Sequence, residues 1–340
     1  MADRVLLTGV SGFLGGHVAL QLLEAGYLVR GSVRDLRKAD KVRDTLGRAG
    51  ADVSRLDFVA LDLMSDKGWA DAMQDVRYVQ HVASPFVTSM PSDRMELIRP
   101  AVEGTTRALE AAFAARVERI VLTSSMAAVM YGYDKSRTEP FTAADWTNLE
   151  GRDVNAYVES KTRAERAAWQ IAERHGRTGD LAVINPGAIL GPLLDDDPGT
   201  SAALVQRLMN GSVPAAPNFS FAIVDVRDVA ALHVAAMTRA EAGGHRYPAG
   251  NGTYSLMDLA NMLRPEFPDR AGKLPRFQAP DWLVRLFGVF DKDMRGNLGE
   301  LGVVKHADTR EAQALLGRPF IPARDAVVAT GRSLIAQHLV

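Results

Sequence analysis

The chain contains no cysteine. That one absence removes a disulfide scaffold, a thiol nucleophile and a zinc–thiolate site. It has almost no net charge either: 40 lysines and arginines stand against 41 aspartates and glutamates, leaving −1 at neutral pH. Such a balance gives no global pull toward nucleic acid or an anionic membrane, and neither is an expected partner. No apolar run approaches the ~18 residues of a membrane helix. The seven histidines are scattered, with no ligand pair at helical spacing beside a carboxylate, so no metal centre is expected. After Asp3 and Arg4 the chain turns directly into an apolar run, without the features of a secretory signal peptide, and a cytoplasmic location is the expectation.

What is present suffices for a large core. Hydrophobic residues make up 47% of 340 positions. The first half alternates short apolar runs (Arg4–Leu7, Tyr27–Val33, Asp57–Ala60, Tyr78–Val82, Ile120–Leu122, Leu181–Ile184) with amphipathic stretches (Gly12–Ala25, Asp35–Gly47, Asp93–Arg116, Val154–His175). Strand–helix–strand alternation predicts an α/β protein with a doubly wound parallel sheet. From Gly191 to Phe221 the many Pro, Gly, Asp and Ser residues predict loops and short elements. Phe221–Val224 reads as a further strand, and Asp228 as the cap of the next helix. The expected organisation is a dinucleotide-binding domain over 1–186 and a smaller C-terminal substrate-binding region over 187–340, with the chain returning to the sheet near 221–237.

The first apolar run leads into Thr8-Gly9-Val10-Ser11-Gly12-Phe13-Leu14-Gly15. Gly9 allows a tight turn, Gly12 lets backbone N–H groups approach a pyrophosphate at the helix N-terminus, and Gly15 lets the helix pack close to the strand. The second run ends in Arg34 and Asp35. Arg34 suits a ribose 2′-phosphate, which a guanidinium binds bidentately, and Lys41 is placed to reach the same group. Asp35 would serve a 2′-hydroxyl instead if it pointed inward. NADP(H) is the expected cofactor. Asp62 and Leu63 follow the third run, where the carboxylate either accepts from an adenine amino group or caps a helix.

The fifth run ends in Thr123-Ser124-Ser125, and Tyr157 and Lys161 follow four residues apart in a helical stretch, on one face. A free tyrosine, with a pKa of about 10, is a poor base at neutral pH, and a neighbouring ammonium favours its phenolate. A hydroxyl at Ser125 would hold a substrate oxygen near Tyr157.

Together these stretches resemble an extended short-chain dehydrogenase/reductase of the Rossmann type. Within that group the chain resembles the dihydroflavonol-reductase-like branch, with its aldehyde, methylglyoxal and other carbonyl reductases. The likeness rests on Thr8–Gly15, Val33-Arg34-Asp35, His81-Val82-Ala83-Ser84-Pro85, Thr123-Ser124-Ser125, Asn155–Lys161, Asn185-Pro186-Gly187 and Asp225–Val229. It covers about residues 3 to 265. The resemblance implies that Ser125, Tyr157 and Lys161 form a catalytic triad. It implies a cofactor site made of Gly9, Gly12, Phe13, Leu14, Gly15, Arg34, Lys41, Asp62, Leu63, Ala83, Ser84, Thr123, Tyr157, Lys161, Pro186, Gly187 and Ile189. Around Tyr157 the chain departs from the Asn-Trp-Tyr-Cys-type run of cinnamoyl-CoA reductases, which argues against a CoA thioester substrate.

The expected reaction is NADPH-dependent, reversible reduction of small aldehydes and ketones to alcohols, by a monomer or homodimer. Apolar walls are expected from Phe86, Met126, Ile189, Leu190 and Leu193, with Phe219 or Phe221 closing the pocket. A nucleotide-sugar epimerase or dehydratase is the first rival, and a non-catalytic NADP sensor the second. The amphipathic run Asp281–Phe290 is expected to pack on its own domain, and His81 to be a structural histidine.

Overall fold

The computed structural model describes residues 2–85, 93–151, 153–289 and 292–340. Its strands are β1 (Arg4–Thr8), β2 (Leu28–Val33), β3 (Leu56–Ala60), β4 (Tyr78–His81), β5 (Arg119–Thr123), β6 (Leu181–Pro186), β7 (Ala188–Leu190), β8 (Ser220–Asp225), β9 (Arg246–Ala249) and β10 (Thr253–Ser255). Seven of them form one parallel sheet in the order β3-β2-β1-β4-β5-β6-β9. Parallel strands covered on both faces must be apolar along their length. Val5, Leu6 and Leu7 in β1 and Leu181–Ile184 in β6 are accordingly fully buried.

The helices are α1 (Phe13–Glu24), α2 (Ala39–Arg48), α3 (Trp69–Ala72), α4 (Met95–Ala114), α5 (Ala156–Arg174), α6 (Gly199–Met209), α7 (Val226–Thr238), α8 (Leu256–Leu263), α9 (Asp281–Phe287), α10 (Lys292–Asn297), α11 (Arg310–Leu316) and α12 (Ala323–Ala336). One face of the large sheet is covered by α1, α2 and α7, through Leu14, Val18, Val42, Leu46 and Val229. The other carries α3, α4 and α5, through Trp69, Leu109, Phe113 and Ile171. A third core joins α6, α8 and α12 to β7 and β8. The order reverses between β1 and β4, so the crevice at their carboxyl ends is the place where such a sheet takes a ligand.

Several expectations need correction. The strand around Phe221–Val224 does not rejoin the large sheet: β8 pairs with β7 and antiparallel with β10 in a separate three-stranded sheet. The return is made by α7, which packs on the large sheet, and by β9, which pairs with β6. Asp225, the last residue of β8, caps α7 by accepting from Arg227 N. Asp228 lies inside the first turn, buried, where it accepts from Ile321 N (2.6 Å) and pairs with Arg318. The stretch from Gly191 to Phe221 holds an eleven-residue helix, α6. The run Asp281–Phe290 does not bury its apolar stripe, for Trp282 is 68% exposed and Phe287 60%, while Val284 alone of α9 is buried. Phe290 and Phe86 lie outside the described residues. No helix among the described residues is long and apolar enough to cross a membrane.

The turn between β1 and α1 leaves no room for a side chain at Gly15. A Cβ on Gly15 would stand 2.0 Å from the Gly9 carbonyl oxygen, a backbone atom that cannot swing aside. Gly15→Ala is therefore expected to cost about 3 kcal/mol, the upper end of overpacking penalties, or somewhat more. A lowered midpoint in urea at unchanged m-value would show it; a midpoint equal to the wild type would mean that the turn relaxes freely.

Candidate active site

The site is built on the carboxyl ends of β1, β4, β5 and β6. Gly9 takes φ +75°, and a Cβ there would sit 2.9 Å from the backbone of Ala83. Thr8 Oγ1 accepts from Ala83 N (3.1 Å) and meets His81 Nδ1 at 2.8 Å. The glycine turn and the segment after β4 are thus locked together. Gly12 stays open, its would-be Cβ meeting only the Gly9 oxygen at 3.5 Å. Ser11, Gly12, Phe13 and Gly16 line a cleft closed on its far side by Leu194 and Asp195. Leu14 is buried in the core, so only its backbone is left for a ligand.

At the end of β2, Arg34 is exposed and has no partner among the described residues. Asp35 is engaged locally: it caps the next turn through Arg37 N and pairs with the Arg37 guanidinium, which holds its carboxyl below the usual range. Lys41 pairs with Asp196 (2.5 Å) and Asp195 (3.5 Å) of the loop that follows β7. Asp62 Oδ1 accepts from Met64 N, as a turn cap does, and Leu63 packs on the core beneath Gly104.

Helix α5 begins where Asn155 accepts from Val158 N, and its first turn brings Tyr157 to the strand ends. Ser125 starts a short turn, accepting from Ala127 N, and this turn packs on α5 through Ala127, Val154 and Val158, with Tyr157 against the same cluster. Lys161 Nζ donates to Ser84 Oγ at 3.0 Å and lies 6.0 Å from the centre of the Tyr157 ring. The structure therefore brings Lys161 to Ser84 and to the Tyr157 ring, and the turn that begins at Ser125 packs against the same cluster as Tyr157. Thr123 turns its hydroxyl to His233 Nε2 (2.9 Å). Pro186 pairs with Ala249 across β6 and β9, Gly187 approaches the Ala222 carbonyl too closely for any side chain, and Ile189 packs on the first core.

The wall residues fare differently. Leu190, Leu193 and Phe219 are buried in the third core, and Met126 in a small cluster with Met130 and Phe141, so they back the site rather than line it openly. Phe221 is half-buried. Beside Tyr157 stands a polar group that sequence reasoning missed. Lys305 Nζ binds Glu300 (2.7 Å) and Asp153 (3.1 Å) and lies 4.0 Å from the Tyr131 ring centre, and Tyr131 shares the Ala127–Val154–Val158 cluster with Tyr157. Burial pushes Glu300 up to about 7, against the pull of Lys305. Nothing local in the sequence links position 300 to position 153. Glu165, which bonds Ser124 and Asn185, was also missed, although its place four residues beyond Lys161 was visible.

A reversed parallel sheet with a glycine turn at its switch point, and a Tyr and a Lys one helical turn apart beside it, defines a dinucleotide-binding α/β protein. The chain belongs to the NAD dependent epimerase/dehydratase family, the extended short-chain dehydrogenases and reductases, whose profile matches residues 5–250. It is 34% identical over 295 residues to the NADPH-dependent methylglyoxal reductase GRE2 of Saccharomyces cerevisiae, covering 80% of this chain and 84% of that one. It is 38% identical over 274 residues to the cinnamoyl-CoA reductase CAD2 of Medicago truncatula, covering 79% and 82%. The crystal structure of yeast methylglyoxal/isovaleraldehyde reductase Gre2 complexed with NADPH superposes with a TM-score of 0.81 at 25% identity, over 99% of this chain and 100% of that one.

Two buried histidines brace the strand ends. Burial, helped by the Lys161 charge, lowers His81 to about 4, and burial lowers His233 to about 3. Both are neutral when folded, while an unfolded histidine titrates near 6.5. Their contribution is complete above about pH 6.5 and is lost as pH falls from there toward 4, because the unfolded chain then binds more protons. Stability in urea is expected to drop between pH 7 and pH 5, and to drop less in His233→Gln. An equal drop in that variant would mean that other groups carry the acid sensitivity.

Proposed function

We propose that the chain is an NADPH-dependent reductase of small aldehydes and ketones, working reversibly between carbonyl and alcohol. The observation that supports this reading best is Lys161, tethered to Ser84 and close to the Tyr157 ring, beside the turn that begins at Ser125. The named activity of the methylglyoxal reductase relative supports it. The site also fits the cofactor: a glycine turn stays open at Gly12 and an unpartnered guanidinium stands at Arg34, while Asp35 is turned to Arg37. Backbone at Gly9, Gly12, Phe13, Leu14 and Gly15 would hold the pyrophosphate. Arg34 and Lys41 would hold the 2′-phosphate, Asp62 and Leu63 the adenine end, and Ala83, Ser84, Thr123, Pro186, Gly187 and Ile189 the rest. Bound there, the reduced nicotinamide supplies a hydride. Ser125 holds the carbonyl oxygen, Tyr157 donates the proton to it, and Lys161 stabilises the phenolate left behind and orients the cofactor ribose. Residues 1–186 then serve the dinucleotide and 187–340 the substrate, in a cytoplasmic monomer or homodimer.

A nucleotide-sugar substrate needs cations for its diphosphate. The loops and helix between Leu190 and Phe221 offer one arginine, Arg207, exposed at the end of α6. The sequence around Tyr157 favours a free carbonyl over a CoA thioester. NADPH oxidation with aryl and alkyl aldehydes, ketones, α-keto esters, diketones, an acyl-CoA and a UDP-sugar tests this. Tyr157→Phe is expected to bind NADPH normally and turn over at least about a hundredfold more slowly. If the UDP-sugar is converted with a higher kcat/KM than every carbonyl, the reductase reading gives way to an epimerase.

Cofactor choice has its own test. Losing a charge-assisted contact weakens binding by about tenfold or more. Arg34→Ala should show that loss for NADPH and leave NADH nearly unchanged in a fluorescence titration; equal losses would remove Arg34 from the 2′-phosphate site.

A further inference from the structure

Glu165 has no part in the chemistry just proposed, yet its side chain is wholly shielded from solvent. It follows Lys161 by one helical turn, as Lys161 follows Tyr157, so the three share one face of α5. A buried carboxylate is costly unless it is fully paired. Here Ser124 Oγ donates to Oε2 (2.5 Å), Asn185 Nδ2 donates to Oε2 (2.7 Å), Trp169 Nε1 donates to Oε1 (3.3 Å), and Arg246 Nε donates to Oε1. Four donors match the acceptor capacity of one carboxylate.

Those donors come from the parts that must be held in register. Ser124 adjoins Ser125 at the end of β5. Asn185 precedes Pro186 at the end of β6, and its amide also donates to the Ser125 carbonyl (3.2 Å). Arg246 lies on β9, and its remaining nitrogens donate to the carbonyls of Ala128, Ala143 and Asp145, with the guanidinium 3.8 Å from the Trp146 ring centre. One carboxylate thus joins the helix bearing Tyr157 and Lys161 to the strand end bearing Ser125 and to the loop beyond it.

We propose that Glu165 is a positioning residue: through Ser124 and Asn185 it fixes Ser125 relative to Tyr157, so that both hydroxyls reach one carbonyl oxygen. The proposal rests on the reductase reading. A Gln at 165 removes the charge opposite Arg246 and turns an NH2 toward Ser124 and Asn185, which must reorient to accept from it and so release the Asn185 bond to the Ser125 carbonyl.

The test is a double-variant cycle of Glu165→Gln with Ser125→Ala, normalised to the sites that bind NADPH. Glu165→Gln is expected to lower kcat by about ten- to a hundredfold, the cost of a misplacement near 1 Å. NADPH affinity should stay within about threefold, and the isotope effect with deuterated NADPH should rise as chemistry becomes limiting. Because Glu165 acts through Ser125, the double variant should be no slower than Ser125→Ala alone. Multiplying losses, or a lower kcat with an unchanged isotope effect, would overturn the positioning role and leave the reductase reading standing. A wild type that reduces no carbonyl would overturn both. If Glu165→Gln does not fold, Ser124→Ala takes its place, with a smaller loss expected and the same non-additivity required.

Discussion

The hydroxyl of Thr8 joins the two strands between which the sheet reverses direction. It accepts from Ala83 N beyond β4 and meets His81 Nδ1. Burial keeps the His81 imidazole neutral in this fully enclosed place. The Thr8 hydroxyl also brings Ala83 so near the turn that only glycine fits at position 9. The segment that follows β4 depends on this closure. Ser84 is where it is because Ala83 is pinned, and Lys161 finds Ser84 at 3.0 Å for the same reason.

The other half of the site depends on one helix. The N-terminus of α5 is set by Asn155, and its position against the sheet by Glu165, which accepts from Ser124 just past β5. A helix repeats its face every four residues, so Tyr157, Lys161 and Glu165 point the same way at increasing depth. The outermost is half-buried and the innermost wholly buried. Charge that would be expensive in the core is matched there by Arg246, a residue far away in sequence.

What could be read from the sequence follows a simple physical division. β1, the glycine turn, α1, β4, β5, α5 and β6 were visible because each is a local pattern: a short apolar run, a period of 3.6, a glycine where the backbone must come close. Ser125, Tyr157 and Lys161 stood out because two of them share a helical face. The short strands β7, β9 and β10 were not visible, since three or four residues carry no period. Helix α6 was hidden by its flanks: Ala202, Val205, Leu208 and Met209 keep a helical spacing, but Pro198, Gly199 and three aspartates precede them. The pairing of Glu300 with Lys305 and Asp153, and of Lys41 with Asp195 and Asp196, depends on tertiary approach alone. Burial of the α9 stripe was expected from its pattern, but an apolar face says only that something covers it, not what.

The segment after β7 shows how tightly such a site is held at one end and how loosely at the other. Gly191, at φ +141°, donates its N–H to the buried Thr330 hydroxyl of α12 (2.8 Å), whose own proton lies between the Ala326 and Gly191 carbonyls. The Pro192 carbonyl accepts from the buried His17 of α1. These contacts exclude water, so they hold firmly in a low-dielectric setting. Further out the chain is tied by the Lys41 pair with Asp195 and Asp196, which is largely exposed and screened by salt. A phosphate offered to Lys41 therefore competes with a weak contact, and displacing it leaves the inner anchor at Gly191 and Pro192 intact. The same loop can thus change partner at its tip without moving the backbone that borders Ile189 and Leu190.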